Sequence, residues 1–174
     1  MPSAQWDDKL AIRELLERYM RYNDDGALDR VGALFAEDGI YLVSGNVLRG
    51  RDEIREFLGR SGAFTDGRPQ WTEPGELYKQ PRSVHVSSNP IIDVEGDEAT
   101  AESDFVVINR DAEGHAHISL VGRYRDRLQR QPDGHWLIAK RIGVSVARPG
   151  QAGTDTEWQR ALDRMSDSER ANLV

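Results

Sequence analysis

Four stretches decide the fold: RSVHVSSNPIIDV (residues 82–94), EATAESDFVVINR (98–110), AHISLVGRYRDRLQR (116–130) and HWLIAKRIGVSVA (135–147). Each is rich in β-branched, aromatic and alternating residues, the signature of a strand. Their separators, Glu95-Gly96-Asp97, Asp111-Ala112-Glu113-Gly114 and Gln131-Pro132-Asp133-Gly134, are turn-forming. Connections this short join antiparallel neighbours, so the second half reads as a meander. Strands this long twist and curve.

The first half has a different period. In residues 7–22, Ile12, Leu15, Leu16 and Tyr19 share one helix face, with Asp7 and Asp8 at the positive end of the helix dipole. Asn23-Asp24-Asp25-Gly26 breaks that helix. The spacing of Leu28, Val31, Leu34 and Phe35 predicts a second helix over 27–36, ended by Glu37-Asp38-Gly39. Ile40–Val43 reads as a short strand, Ser44-Gly45-Asn46 as a turn, and Val47-Leu48-Arg49 as its hairpin partner. A third helix, 52–60, carries Ile54, Phe57 and Leu58. Residues 61–80, with Trp71 and Tyr78, read as a long loop, either a lid or a surface excursion. Helices first and a meander afterwards give an α+β domain over 7–148 with the helices on one sheet face. A tail over 149–174 carries one more helix, 155–171.

Composition narrows the function. Of 174 residues, 38% are hydrophobic and 30% charged, which suits one globular core. The absence of cysteine excludes disulfides, thiolate metal sites and a cysteine nucleophile. A net charge of -7 speaks against nucleic acid as a partner. No basic-then-apolar leader and no membrane-length apolar run stand in the sequence, so the expectation is a cytoplasmic protein. Arg123, Arg125 and Arg127 alternate on one strand and belong to a solvated outer face.

Leu15-Leu16-Glu17-Arg18-Tyr19, then Asp24, then Leu34-Phe35-Ala36-Glu37-Asp38-Gly39, resemble the opening of SnoaL-like domains of the nuclear transport factor 2-like superfamily. So do Gly122-Arg123-Tyr124-Arg125-Asp126 and Asp133-Gly134-His135-Trp136-Leu137-Ile138. The resemblance implies a curved antiparallel sheet packed on N-terminal helices around a cone-shaped pocket, a cystatin-like α+β barrel. It also implies a homodimer or homotrimer. The superfamily holds scytalone dehydratase, bile acid 7-alpha-dehydratase, ketosteroid isomerase, limonene epoxide hydrolase and polyketide cyclases, and also nuclear transport factor 2, which is no enzyme. Its dehydratase branch carries a Tyr and an Asp at the end of the first helix, a His on the first long strand and an Asp on the next. Tyr19, Asp24, His85 and Asp104 stand in for these, and Arg141 matches an arginine of some members.

These residues suit elimination of water. A neutral imidazole at His85 accepts a C–H proton and returns it to a leaving hydroxyl if a carboxylate, Asp24, holds its other nitrogen. Asp24 also suits a helix end, which leaves its role open. Tyr19 either fills the core or donates a hydrogen bond to an enolate oxygen, and Tyr41 is a second donor candidate. Asp104 is a further acid or base if it faces the pocket. Arg141 and Trp71 are substrate-binding candidates, though Arg141 also suits pairing with a surface acid. His115 and His117 share a strand face but have no evident third metal ligand, and no nucleophile elbow or dinucleotide fingerprint is present. The expectation is a cofactor-independent lyase or isomerase, foremost a dehydratase, for a small, largely apolar carbonyl substrate. Two alternatives stand beside it. One is a non-catalytic small subunit like that of aromatic-ring dioxygenases, which Ser87-Ser88-Asn89 and Glu102–Val107 resemble. The other is a small-ligand binder.

Overall fold

The computed structural model describes residues 2–61, 83–110, 113–145 and 154–171. The chain runs α1 (Pro2–Asp24), α2 (Leu28–Ala33), β1 (Phe35–Val43), β2 (Asn46–Arg49), α3 (Gly50–Ser61), β3 (Val84–Glu95), β4 (Glu98–Arg110), β5 (Ala116–Arg130), β6 (Trp136–Ser145), α4 (Thr154–Asp163) and α5 (Asp167–Ala171). The six strands form one curved, unclosed sheet in the order β2-β1-β6-β5-β4-β3. β3 to β6 make the antiparallel meander, while β1 joins β6 in parallel. No described helix is long and apolar enough to cross a membrane.

The concave face holds the main core. Ile12, Leu15, Leu16, Tyr19 and Met20 of α1 pack with Phe35, Tyr41, Phe105, Val107, Tyr124 and Ile138 from the sheet. Burial of side chains of this size contributes about 1.5–3 kcal/mol each. The convex face is covered at the β2–β1–β6 end, where Ala161 and Met165 meet Leu42, Val47 and Ile142. At the other end Val84, Val86, Ile118 and Val121 stay exposed.

Two expectations are corrected. The second helix stops at Ala33, and Phe35 to Gly39 belong to β1. Leu34 and Phe35 fit either period; parallel pairing with β6 decides, through a register shift between Phe35 and Ile40. A Cβ at Gly39 would lie 3.0 Å from Ala36 O and 3.2 Å from Ile138 O, so any larger residue would push on the backbone at this crowded step. The single tail helix is two. Ser166-Asp167-Ser168-Glu169 starts a new one as a capping box: Ser166 N–H donates to Glu169 Oε2 (2.7 Å), and Glu169 N–H donates to Ser166 Oγ (3.3 Å).

The start of α1 is tied to the sheet by Asp8. Its carboxylate accepts Arg130 Nη1 and Nη2 (2.5 and 2.7 Å) and Trp136 Nε1 (3.2 Å), and Arg130 lies 4.6 Å over the Trp136 ring. The Arg130 hydrogen bonds hold the Asp8 carboxyl below the ordinary aspartate value of 3.8 despite partial burial. A depressed folded-state pKa contributes stability above the unfolded value that is lost as pH falls through the folded one. Urea midpoints should therefore fall below pH 3.8 more steeply for the wild type than for Asp8→Asn, and parallel curves would refute this.

Candidate active site

Asp24 is the last residue of α1. The helix ends in a Schellman motif: Ala27 N–H donates to Tyr22 O (2.8 Å), Gly26 N–H to Asn23 O (3.1 Å), and Gly26 takes φ +67°. That position faces the negative end of the helix dipole, where a carboxylate is disfavoured. Asp24 caps nothing there. Its carboxylate leaves the helix for the edge strand β3.

His85 receives it twice. The His85 backbone N–H donates to Asp24 Oδ2 (2.9 Å), and Nδ1 lies 2.5 Å from Asp24 Oδ1. The outward N–H of an edge strand is thereby satisfied by a helix side chain. Both side chains are largely buried, 15% and 12% exposed, so the pair is shielded from solvent. A carboxylate only accepts, so Nδ1 carries the proton, and in the neutral imidazole Nε2 keeps its lone pair.

Deeper on the concave face lies a cluster of tyrosines around an ion pair. Tyr19 O–H donates to Tyr41 Oη (3.1 Å). Arg141 Nε and Nη2 donate to the Asp126 carboxylate (2.7 and 2.9 Å), and both side chains are fully buried. The guanidinium sits 4.0 Å from the Tyr19 ring centroid and 4.4 Å from that of Tyr124, a cation–π sandwich. Burial raises the pKa of Tyr19, Tyr41 and Tyr124, more than Arg141 lowers it. All three hydroxyls are therefore protonated donors at neutral pH. Burial opposes the Arg141 charge, but Asp126 more than compensates and keeps it cationic. Gly143 makes room for this cluster, since a Cβ there would stand 3.2 Å from Tyr124 Cε1 and 3.5 Å from Tyr41 Oη.

Of the sequence candidates, the fold brings Asp24 to His85, and Tyr19 to Tyr41 and Arg141. Asp104 is corrected: it lies exposed on the convex face and accepts Arg123 Nε at 2.7 Å. Side chains alternate along β4, so Ser103 and Phe105 turn inward and Asp104 out. Arg141 meets a buried partner, not a surface one. Trp71 lies outside the described residues, as does nearly all of the loop 61–80. Arg123 and Arg125 are on the outer face as expected, paired with Asp104 and Glu102.

Asp126, Tyr124 and Asn109 are not among the sequence candidates. For the first two the signal is the alternation itself, since Arg123, Arg125 and Arg127 outward puts Tyr124 and Asp126 inward. Asn109 shares the inward register of Val107, and its buried Oδ1 has no hydrogen-bond partner among the described residues. Among the described residues no three His, Asp or Glu gather as a metal site. A cleft of about 760 Å³ beside α2 and α3, walled by Asp29, Arg30, Asp52, Arg55 and Glu56, includes neither Asp24 nor His85.

Comparison with known proteins agrees with this fold. The SnoaL-like domain family matches residues 4–142. The small subunit of anthranilate 1,2-dioxygenase from Burkholderia cepacia is 25% identical over 142 residues, 79% of this chain and 86% of that one. A nuclear transport factor 2-like protein with a cystatin-like fold from Novosphingobium aromaticivorans superposes with a TM-score of 0.68 at 25% identity, covering 90% of this chain and 92% of that one. A provisional scytalone dehydratase from the same organism gives a TM-score of 0.63 at 24% identity, with 84% and 89% covered. That last likeness carries the fold alone.

Proposed function

The chain belongs to the SnoaL-like domain family, and from that premise we propose that it is an acid–base lyase, a dehydratase of small β-hydroxy carbonyl compounds. The observation that carries the reading is the Asp24–His85 contact at 2.5 Å, which leaves Nε2 as the reactive nitrogen. His85 Nε2 takes the proton from the carbon next to the carbonyl. The electron pair moves onto the carbonyl oxygen, where a tyrosine O–H of the Tyr19–Tyr41 pair stabilises the enolate. The pair then returns, the bond to the β-hydroxyl breaks as C=C forms, and the imidazolium gives its proton to the departing oxygen. One water leaves, and the side chains end as they began. Asp24 stabilises the imidazolium between the two transfers. Arg141, held by Asp126, positions Tyr19. A double-bond shift or a cyclisation uses the same base and donors.

A panel of β-hydroxy ketones, aldehydes and thioesters, followed by the ultraviolet absorbance of the conjugated product, tests this. Turnover by the wild type that His85→Ala abolishes is the expected result. Turnover indifferent to His85→Ala sinks the mechanism, and binding without turnover favours a ligand carrier.

A second reading has its own support in the likeness to a dioxygenase small subunit and in the uncovered apolar patch of Val84, Val86, Ile118 and Val121. In that reading the chain is structural and the patch meets a large iron-bearing subunit. An inactive panel together with co-purification of such a subunit would select it.

A further inference from the structure

The concave face carries a polar group near His85 that the dyad does not use. His85 pairs with Val107 across β3 and β4, and residues two apart on a strand share a face. Asn109 is thus the next inward position after Val107, a diagonal neighbour whose Cα lies about 7–8 Å from that of His85. It is also the last inward residue before β4 ends at Arg110. Its inward neighbours along the strand, Val107 and Phe105, are apolar and buried. Asn109 Oδ1 is buried and, among the described residues, accepts no hydrogen bond. Burying a carboxamide oxygen unpaired is unfavourable, so such an atom is poised to accept a hydrogen bond from a bound molecule.

We propose that Asn109 is a specificity residue, whose carboxamide oxygen accepts the O–H of a substrate hydroxyl presented to His85. The proposal rests on the lyase reading and narrows its substrate class. A hydroxyl has one proton and two lone pairs. Donating the proton to Asn109 leaves the lone pairs for the imidazolium N–H at the moment of departure. Asn109 suits this task better than an acid would, because a carboxylate there would compete with Asp24 for the imidazolium. A site with an unpaired buried acceptor also rejects analogues that lack the hydroxyl.

Calorimetric titration with 4-hydroxy-4-phenylbutan-2-one and its deoxy analogue 4-phenylbutan-2-one tests it, using wild type and Asn109→Leu. The wild type should bind the hydroxylated probe more tightly. Asn109→Leu should weaken that probe about tenfold and leave the deoxy probe unchanged. Its urea midpoint should equal or exceed that of the wild type, because removing an unpaired polar atom relieves the free protein. A lower midpoint overturns the proposal, since Asn109 then has a structural partner. So does a wild type that does not prefer the hydroxylated probe, or a preference that survives Asn109→Leu. The lyase reading fails separately: hydroxyl preference that depends on Asn109, with no His85-dependent turnover, would retain a hydroxyl-binding site and discard the chemistry.

Discussion

Asp126→Ala is expected to lower the free energy of unfolding by about 3–5 kcal/mol, the usual cost of stranding one member of a buried ion pair. Domains of this kind have only about 5–15 kcal/mol in total, so the variant should sit near the edge of folding. The size follows from the surroundings of Arg141. Its side chain and that of Asp126 are fully buried, and Asp126 takes both Nε and Nη2. Nη1 has no hydrogen-bond partner among the described residues. The tyrosine faces on either side attract the cation but cannot replace a carboxylate. The companion variant makes the claim testable even if Asp126→Ala does not fold. Asp126→Leu combined with Arg141→Met removes both charges at similar volume and should recover most of the loss. Urea unfolding of the three proteins measures it. A single variant within about 1 kcal/mol of wild type, or a double variant no better than the single, would mean that water reaches the pair.

Much of this arrangement is legible in the sequence where one period dominates. The i, i+3, i+4, i+7 spacing of Ile12, Leu15, Leu16 and Tyr19 finds α1 and its buried face. The turns at Gly96 and Gly134, both at positive φ, mark the meander. The pairing of Asp24 with His85 is legible through resemblance, because the two residues stand 61 positions apart and no local rule joins them. Where two periods compete, reading fails. Leu34 and Phe35 suit a helix as well as a strand, and only the partner strand β6 decides. Asp104 and Asn109 differ by five positions, so they face opposite ways, and choosing between them requires the register of β4. The acid that resemblance seeks on β4 is on the wrong face. The inward carboxylate comes from β5, as Asp126. It is hidden in plain alternation behind Arg123, Arg125 and Arg127, whose outward direction is evident before its consequence for the residues between them.

Asp24→Asn is expected to cut kcat by roughly 10²–10⁴, the range for losing a positioned acid–base group, while changing stability little. The reasoning turns on which imidazole nitrogen holds the proton. The carboxamide of the variant keeps one oxygen, which can still accept the His85 backbone N–H that now bonds Asp24 Oδ2 at 2.9 Å. Its amide nitrogen then faces Nδ1 and donates where the carboxylate accepted. His85 responds by moving its proton to Nε2, and the lone pair that should take the substrate proton is gone. The negative charge that steadied the imidazolium is lost as well. His85→Ala should be at least as damaging, and the two changes together no worse than either alone, because residues that act as one unit are not additive. Kinetics on the best substrate of the β-hydroxy carbonyl panel measure the rates. Imidazole ¹⁵N spectra of the free proteins read the tautomer without any substrate, with the proton on Nδ1 in the wild type and on Nε2 in Asp24→Asn. A tautomer that stays on Nδ1, or an Asp24→Asn enzyme within a few-fold of wild type, would reduce Asp24 to a tether between α1 and the edge of the sheet. His85 would then need another source of basicity than the carboxylate beside it.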